Sequence, residues 1–317
     1  MHPFSSLIAA TLALVAFDSA CAGDLPFTKG EPTAPSIASC DFYQSQLIGA
    51  FCENTFGGTV TVEEEQQRAK APRGFGVTDN WRIDSLISAA NVYVAPTSWL
   101  KLTIGSEYIS DFSYFVQPPF ASQTVRSNFA AWQTATAAVR LMDYNAEGFR
   151  AFISGVALVS YLPAYTTQGT SLGDRGEFAG ELNAGVHWVL GNSNYSLNPL
   201  ATLTFAHFTS SPQNEFASNV RVLLSQDVWG VAAGPVVTTA ALNYHGVNGN
   251  GFQSQQYFAG AHLLVEPFRT SSTPVLKDVV ANFDVMHSLG RAGTFYYWIP
   301  NADEMIYKGS VQFNFTY

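Results

Sequence analysis

Along most of the chain, hydrophobic and polar residues alternate with period two in stretches of about ten residues, separated by clusters of Gly, Pro, Asn, Asp and Ser. The end of the chain shows this best. Val311, Phe313, Phe315 and Tyr317 alternate with Gln312, Asn314 and Thr316, which in an extended backbone puts apolar and aromatic groups on one face and polar groups on the other. Phe178, Leu182, Ala184, Val186, Trp188 and Leu190 stand opposite Glu177, Glu181, Asn183 and His187. Leu102, Ile104 and Tyr108 stand opposite Lys101, Thr103 and Glu107, and Val279, Ala281, Phe283 and Val285 opposite Asp278, Asn282 and Asp284. A soluble sandwich also alternates. Here, however, the charge keeps to one face in stretch after stretch, and a face without charge suits lipid while the other suits a lumen.

The pattern predicts an all-β fold, a transmembrane antiparallel up-and-down barrel of about 12 strands, over 55–62, 81–95, 99–110, 127–142, 148–161, 176–190, 195–208, 218–231, 235–246, 254–267, 276–289 and 305–317. Short connections are expected at 95–98, 143–147, 191–194 and 232–235. Longer ones fall between them at 111–126, 162–175, 209–217 and 245–254. Such alternation is what a barrel shows when tight turns lie at the periplasmic end and long loops outside, and an even strand number returns both termini to the periplasm.

Composition sharpens this picture. Of 317 residues only 12% are charged, against about 25% in soluble proteins, while 14% are aromatic. A net charge of −9 disfavours a nucleic-acid partner, because a phosphate backbone calls for a positive surface. The apolar stretch from Leu7 to Phe17, followed by Ala20-Cys21-Ala22, reads as a signal peptide over 1–22, and 23–54, with Pro26, Pro32 and Pro35, as a periplasmic leader before a barrel over 55–317. No later run of apolar residues is long enough for a membrane helix. Cys40 and Cys52 then remain as candidates for one disulfide in an exported chain. Nothing in the sequence calls for a cofactor or a metal, since no second Cys or close His completes a ligand set and His187, His262 and His287 fall on three separate strands.

The terminal residues Val311, Phe313, Phe315 and Tyr317 resemble the β-signal by which outer-membrane barrels of Gram-negative bacteria are recognised by their assembly machinery, with Tyr317 where Phe is usual. The resemblance implies a bacterial outer-membrane protein whose partners are that machinery, the membrane lipids and lipopolysaccharide.

Function is to be sought on the polar face. Its charged residues are Lys101, Glu107, Arg140, Arg150, Glu177, Glu181, Arg221, Asp227, Glu266, Asp278, Asp284 and Lys308, of both signs. With Lys101, Arg140 and Arg150 on consecutive strands and Glu266, Asp278 and Asp284 far round the barrel, a transverse field across a water-filled pore for small solutes is expected, so the chain reads as a narrow, porin-like channel rather than an enzyme. A plugged lumen of paired charges is the alternative, leaving a structural or envelope-polysaccharide-associated barrel. Lipid hydrolysis is the other. The lipid hydrolases among such barrels carry a His with a Ser two residues on, near an Asn; here Val247 follows His245, and His207-Phe208-Thr209 offers only a Thr. The run Glu63-Glu64-Glu65 is placed in the first external loop, as a solvated tip or a site bridging cations to lipopolysaccharide. Trp99, Tyr108, Tyr161, Trp188, Tyr195, Trp229, Tyr257 and Tyr317 are expected near strand ends, at the headgroups. Tyr114, Phe115, Phe120 and 295–298 are assigned to external loops that bind sugars or fold inward.

Overall fold

The computed structural model describes residues 55–70, 80–115, 123–128, 132–162, 165–167, 170–172, 175–208, 213–244, 252–269, 279–293 and 303–316. The signal peptide, the leader, Cys40 and Cys52, Asp278, Tyr317, Phe120, His245, Val247, Thr209 and 295–298 lie outside the described residues.

The expected barrel is there. Fifteen strands are described: β1 (Thr55–Lys70), β2 (Asn80–Thr97), β3 (Leu100–Phe115), β4 (Gln123–Asn128), β5 (Trp132–Ala146), β6 (Phe149–Leu162), β7 (Tyr165–Thr167), β8 (Thr170–Leu172), β9 (Arg175–Val189), β10 (Tyr195–Phe208), β11 (Gln213–Gln226), β12 (Val231–Tyr244), β13 (Phe252–Val265), β14 (Val279–Gly293) and β15 (Asp303–Thr316). Each pairs antiparallel with its neighbour, and the pairings of β1 with β15 and of β2 with β3 close the ring. The ring has twelve positions. β4 and β5 share one of them, β5 pairing with 100–107 of β3 and β4 with 110–115, while β7 and β8 form a separate small hairpin within the connection from β6 to β9. The expected strand over 127–142 is therefore the β4–β5 position.

Three further expectations are corrected. β1 runs on to Lys70, so Glu63, Glu64 and Glu65 belong to the wall and not to a loop tip. Tyr114 and Phe115 end β3 instead of lying in a loop. The tight turn expected at 232–235 lies at 227–230, and Ala232 to Pro235 are in β12. There Gly230 takes a φ of 65°, the left-handed region that glycine enters without steric cost, and the amide of Trp229 donates to the side-chain oxygen of Gln226 at 2.7 Å. Apolar Val228 and Trp229 disguise this turn, while Gly234-Pro235 imitates one.

Residues at even spacing point outward and are exposed: Val60 and Val62 on β1, Leu182 on β9, Leu203 on β10, Val220, Val222 and Leu224 on β11, Val311, Phe313 and Phe315 on β15. Trp99, Tyr144, Phe149, Trp188, Tyr195 and Trp229 ring the tight-turn end of this surface, and Tyr108, Phe178, Phe205, Phe216 and Tyr307 its far end. On β9, Phe178 and Trp188 bound the band; at about 3.3 Å per residue and a tilt near 40°, their separation gives an apolar height of about 25 Å, that of a bilayer-spanning barrel. The chain enters β1 at Thr55, opposite Ala95, and Thr316 of β15 stands opposite Gly57, so both lie at the tight-turn end.

Candidate functional site in the barrel lumen

Strand pairing decides which residues share the lumen, because antiparallel partners face the same side. From Glu65 opposite Lys308, Lys308 opposite Asp284, and Asp284 opposite His262, the inward set is traced round the ring. Glu63, Glu107, Glu177, Glu181 and Arg221 join it, as do Lys101, Arg140 and Arg150. Among the described residues, strand register puts Lys101, Glu107, Arg140, Arg150, Glu181, Arg221 and Asp284 on one face, while Asp227 and Glu266 lie just beyond the ends of β11 and β13.

Half-way up, charges of both signs form a belt. Lys308 Nζ lies 2.7 Å from Glu63 Oε1 and 3.8 Å from Glu65 Oε2. His262 Nδ1 lies 2.8 Å from Asp284 Oδ1, and Arg221 Nη1 lies 3.4 Å from His262 Nε2. Ser160 donates to Glu177 at 2.8 Å, and Asn183 donates to Glu181 at 2.5 Å while accepting from Thr202 at 2.7 Å. Glu107 sits in the fields of Glu63, Lys308 and Glu177, and Arg221 in those of Asp284 and Glu181. Arg221 Nε and, two residues before it on β11, Asn219 Oδ1 are buried without a hydrogen-bond partner among the described residues. Acids outnumber bases in this belt.

At the tight-turn end the lumen is lopsided. On the β10–β14 side, Leu223, Ala232, Leu264 and Val280 form a buried cluster against Leu200, all pointing inward. Polar groups beside it are satisfied: His187 Nδ1 meets Asn198 Oδ1 at 2.7 Å, Asn198 donates to the Ser196 hydroxyl at 3.1 Å, and Asp227 accepts from Ser196 at 3.3 Å and from Ser225. Glu266 is paired with Arg269 at 2.6 Å. On the β2–β6 side the wall is basic and aromatic. Lys101 Nζ lies 4.1 Å above the Tyr93 ring, Arg140 Cζ lies 4.8 Å above the Phe152 ring, and Arg150 is bound to Asp143 through two oxygens at 2.9 and 2.5 Å.

The expected transverse opposition of Lys101, Arg140 and Arg150 to Glu266 and Asp284 is therefore altered. Arg150 and Glu266 are each neutralised by a near neighbour in sequence, and Asp284 belongs to the mid-height belt beside Lys308. Lys101 and Arg140 stand on this basic wall, each over an aromatic ring. Sequence reasoning passed over Tyr93, Phe152, Asp143 and Glu63/Glu65 as lumen residues. The signal for Tyr93 was present, since it stands an even number of residues from Ala89 and Asn91 on an inward face, but nothing in its own strand marks an aromatic residue as inward.

On the outer surface, His207 Nδ1 lies 2.7 Å from Asn214 Oδ1 across β10 and β11, at the far aromatic belt, one outward rung beyond the Phe205–Phe216 pair. Among the described residues no three His, Cys, Asp or Glu side chains gather as a metal site.

No family model matches the chain, and no curated protein matches it. Solved structures do. An outer membrane channel from Pseudomonas putida F1 superposes with a TM-score of 0.51 at 10% identity, over 84% of this chain and 97% of that one. The β domain of the Bordetella autotransporter BrkA gives 0.43 at 10% identity over 81% and 98%, and OccAB3 of Acinetobacter baumannii gives 0.33 at 7% identity over 83% and 99%. The structural neighbours of this closed twelve-position antiparallel barrel are thus bacterial outer-membrane β-barrels.

Proposed function

We propose that this chain resides in a bacterial outer membrane and acts as a narrow channel for small solutes, with a lumen of mixed charge and no catalytic role. The observation that carries this reading is the division of charge. An apolar band ringed by aromatics covers the outside, while Glu63, Glu107, Glu177, Glu181, Arg221, Asp284 and Lys308 line the inside. Ionisable groups held in a membrane wall call for water beside them, and an aqueous lumen supplies it.

Size supports the same reading. Twelve strands about 4.8 Å apart and tilted near 40° enclose a backbone diameter of about 24 Å, which leaves about 10 Å between side chains of opposite walls. The packed cluster around Leu223 and Leu264 narrows the tight-turn end further. Structural likeness to an outer membrane channel accords with this. The test is planar-bilayer recording on refolded, heat-modifiable protein. Discrete conductance steps are expected, and a folded barrel that gives none defeats the channel reading.

A second reading rests on His207 and Asn214. An Asn oxygen accepting from Nδ1–H leaves Nε2 free as a base, and the pair stands on the lipid-facing rim where an acyl ester arrives. Release of fatty acid from phospholipid micelles by the wild type, abolished in His207→Ala, would establish it over the channel.

A further inference from the structure

The geometry points to a binding site for a small zwitterionic solute on the inner wall, in which Arg221 takes the carboxylate and Glu181 the ammonium group; it rests on the channel reading, whose solute class it names.

The two charges flank one polar rung. Asn183 of β9, Thr202 of β10, Asn219 of β11 and Thr238 of β12 stand opposite one another on four consecutive strands, all on the lumen face. Glu181 lies two residues from Asn183 towards the far end, and Arg221 two residues from Asn219 towards the tight-turn end. Both therefore face the lumen, one on each side of the rung. The rung fixes Glu181, since Thr202 donates to Asn183 at 2.7 Å and Asn183 donates to Glu181 Oε1 at 2.5 Å. Asn219 donates to Thr238 at 3.0 Å, while its own Oδ1 is buried without a hydrogen-bond partner among the described residues. Buried acceptors are seldom left so, and this one stands on the rung between the two charges.

Arg221 is held from the other side. Its Nη1 lies 3.4 Å from His262 Nε2, and His262 Nδ1 lies 2.8 Å from Asp284 Oδ1 across β13 and β14. A guanidinium only donates, so Nε2 accepts from it and Nδ1–H donates to the carboxylate. A carboxylate in place of this buried imidazole would cancel the charge of Arg221, whereas the imidazole positions the guanidinium and leaves its charge to the lumen. Glu181 and Asp284 both act on Arg221 through space, yet neither forms an ion pair with it among the described residues. The two acids differ in what else they meet. Asp284 is bound to His262 and stands opposite Lys308, while Glu181 is in no ion pair among the described residues. Arg221 and Glu181 are thus a cation and an anion kept apart, and a molecule carrying a carboxylate and an ammonium group close together joins them through two charge-assisted contacts. An anion alone meets the field of Glu181 and a cation alone that of Arg221, so each is disfavoured.

The test is a saturation-transfer NMR titration of the refolded full chain in detergent with alanine, propionate and ethylamine in turn, on the wild type, Glu181→Gln, Arg221→Gln and Arg221→Lys. Saturable binding of alanine by the wild type is expected, with propionate and ethylamine each about tenfold weaker or more, as loss of one charge-assisted hydrogen bond implies. Glu181→Gln, which keeps an oxygen for Asn183, should weaken alanine by about tenfold and strengthen propionate. Arg221→Gln should weaken alanine and strengthen ethylamine, and Arg221→Lys should retain part of the alanine binding. Such a reversal of preference is a readout that damage to the wall would not produce. Absence of alanine binding, wild-type binding of propionate or ethylamine as tight as that of alanine, or equal binding of alanine by the wild type, Glu181→Gln and Arg221→Gln overturns the site. Heat-modifiable migration shows that each variant is folded, and Glu181→Gln alone keeps the comparison decisive if the Arg221 variants fold poorly. A barrel that binds alanine but never conducts defeats the channel reading alone, and one that conducts without binding alanine defeats the site alone.

Discussion

At the level of single residues, the inner wall is set by glycine and by charge. Gly57 shows the first. A side chain there would strike both the Tyr93 ring and the carbonyl oxygen of Phe315, and the second of these is backbone that cannot swing aside. Gly57→Val is expected to cost about 1–3 kcal/mol, the scale of overpacking, and to lower the urea midpoint for unfolding from detergent or vesicles. Lys308 shows the second. It is the cation facing Glu63 and Glu65, and Lys308→Met leaves two inward carboxylates without it. The pair is only half-buried, so the expected loss is about 1–2 kcal/mol, well below that of a dry ion pair, and Glu63→Gln in the same chain should restore part of it in a double-mutant cycle.

At the level of elements, β15 demonstrates how one strand faces two solvents. Val311 is exposed outward in the middle of the apolar band, and Gln312 faces the lumen opposite Val280 and Thr61. Val311→Arg puts a charge in hydrocarbon and is expected to cost about 2–4 kcal/mol in vesicle unfolding, whereas Gln312→Arg, one residue on, should cost far less. Because Phe313 and Phe315 continue the same outward face to the closing seam with β1, deletion of Tyr317 is expected to slow insertion and leave a protease-sensitive precursor, read as loss of the heat-modifiable band. Wild-type amounts of folded protein in that deletion would show that the terminal signal is not read. Element ends were the least legible part of the chain. The turn at 227–230 carries Val228 and Trp229 because a barrel's turn end lies at the headgroups, where an exposed Trp is stable, so local polarity failed as a marker there. Glu63 to Glu65 misled for the opposite reason. A charge run reads as loop unless a lumen supplies Lys308 to meet it.

At the level of the whole molecule, fixed charge along the lumen should set ion preference. Lys101→Gln with Arg140→Gln is expected to move the reversal potential in a salt gradient towards cations, and Glu107→Gln with Glu181→Gln towards anions. Both shifts should fade when salt is raised from 0.1 to 1 M, because the screening length falls from about 10 to about 3 Å. Shifts of the same sign in both double variants, or shifts indifferent to salt, would show that these groups do not face the conducted ion.

The sequence by itself determined the barrel, its approximate strand number, the sidedness of each strand and most of the inward charges, because a period of two is a local property and lipid tolerates no charge on the outer face. It also carried the end at which tight turns gather, through Gly148, Gly191 and the short loops around them. Only the tertiary structure decided which inward groups meet. Lys308 is 243 or more residues from Glu63 and Glu65 along the chain, and their encounter exists because the ring closes between β1 and β15. Likewise the pairings of Gly57 with Tyr93 and of Phe152 with Gly185, and the meeting of Arg150 with Asp143, follow from register. Register is set by pairing across strands and by bulges such as the one between Arg140 and Met142, and a bulge moves every residue beyond it to the opposite face without leaving a mark in the local pattern.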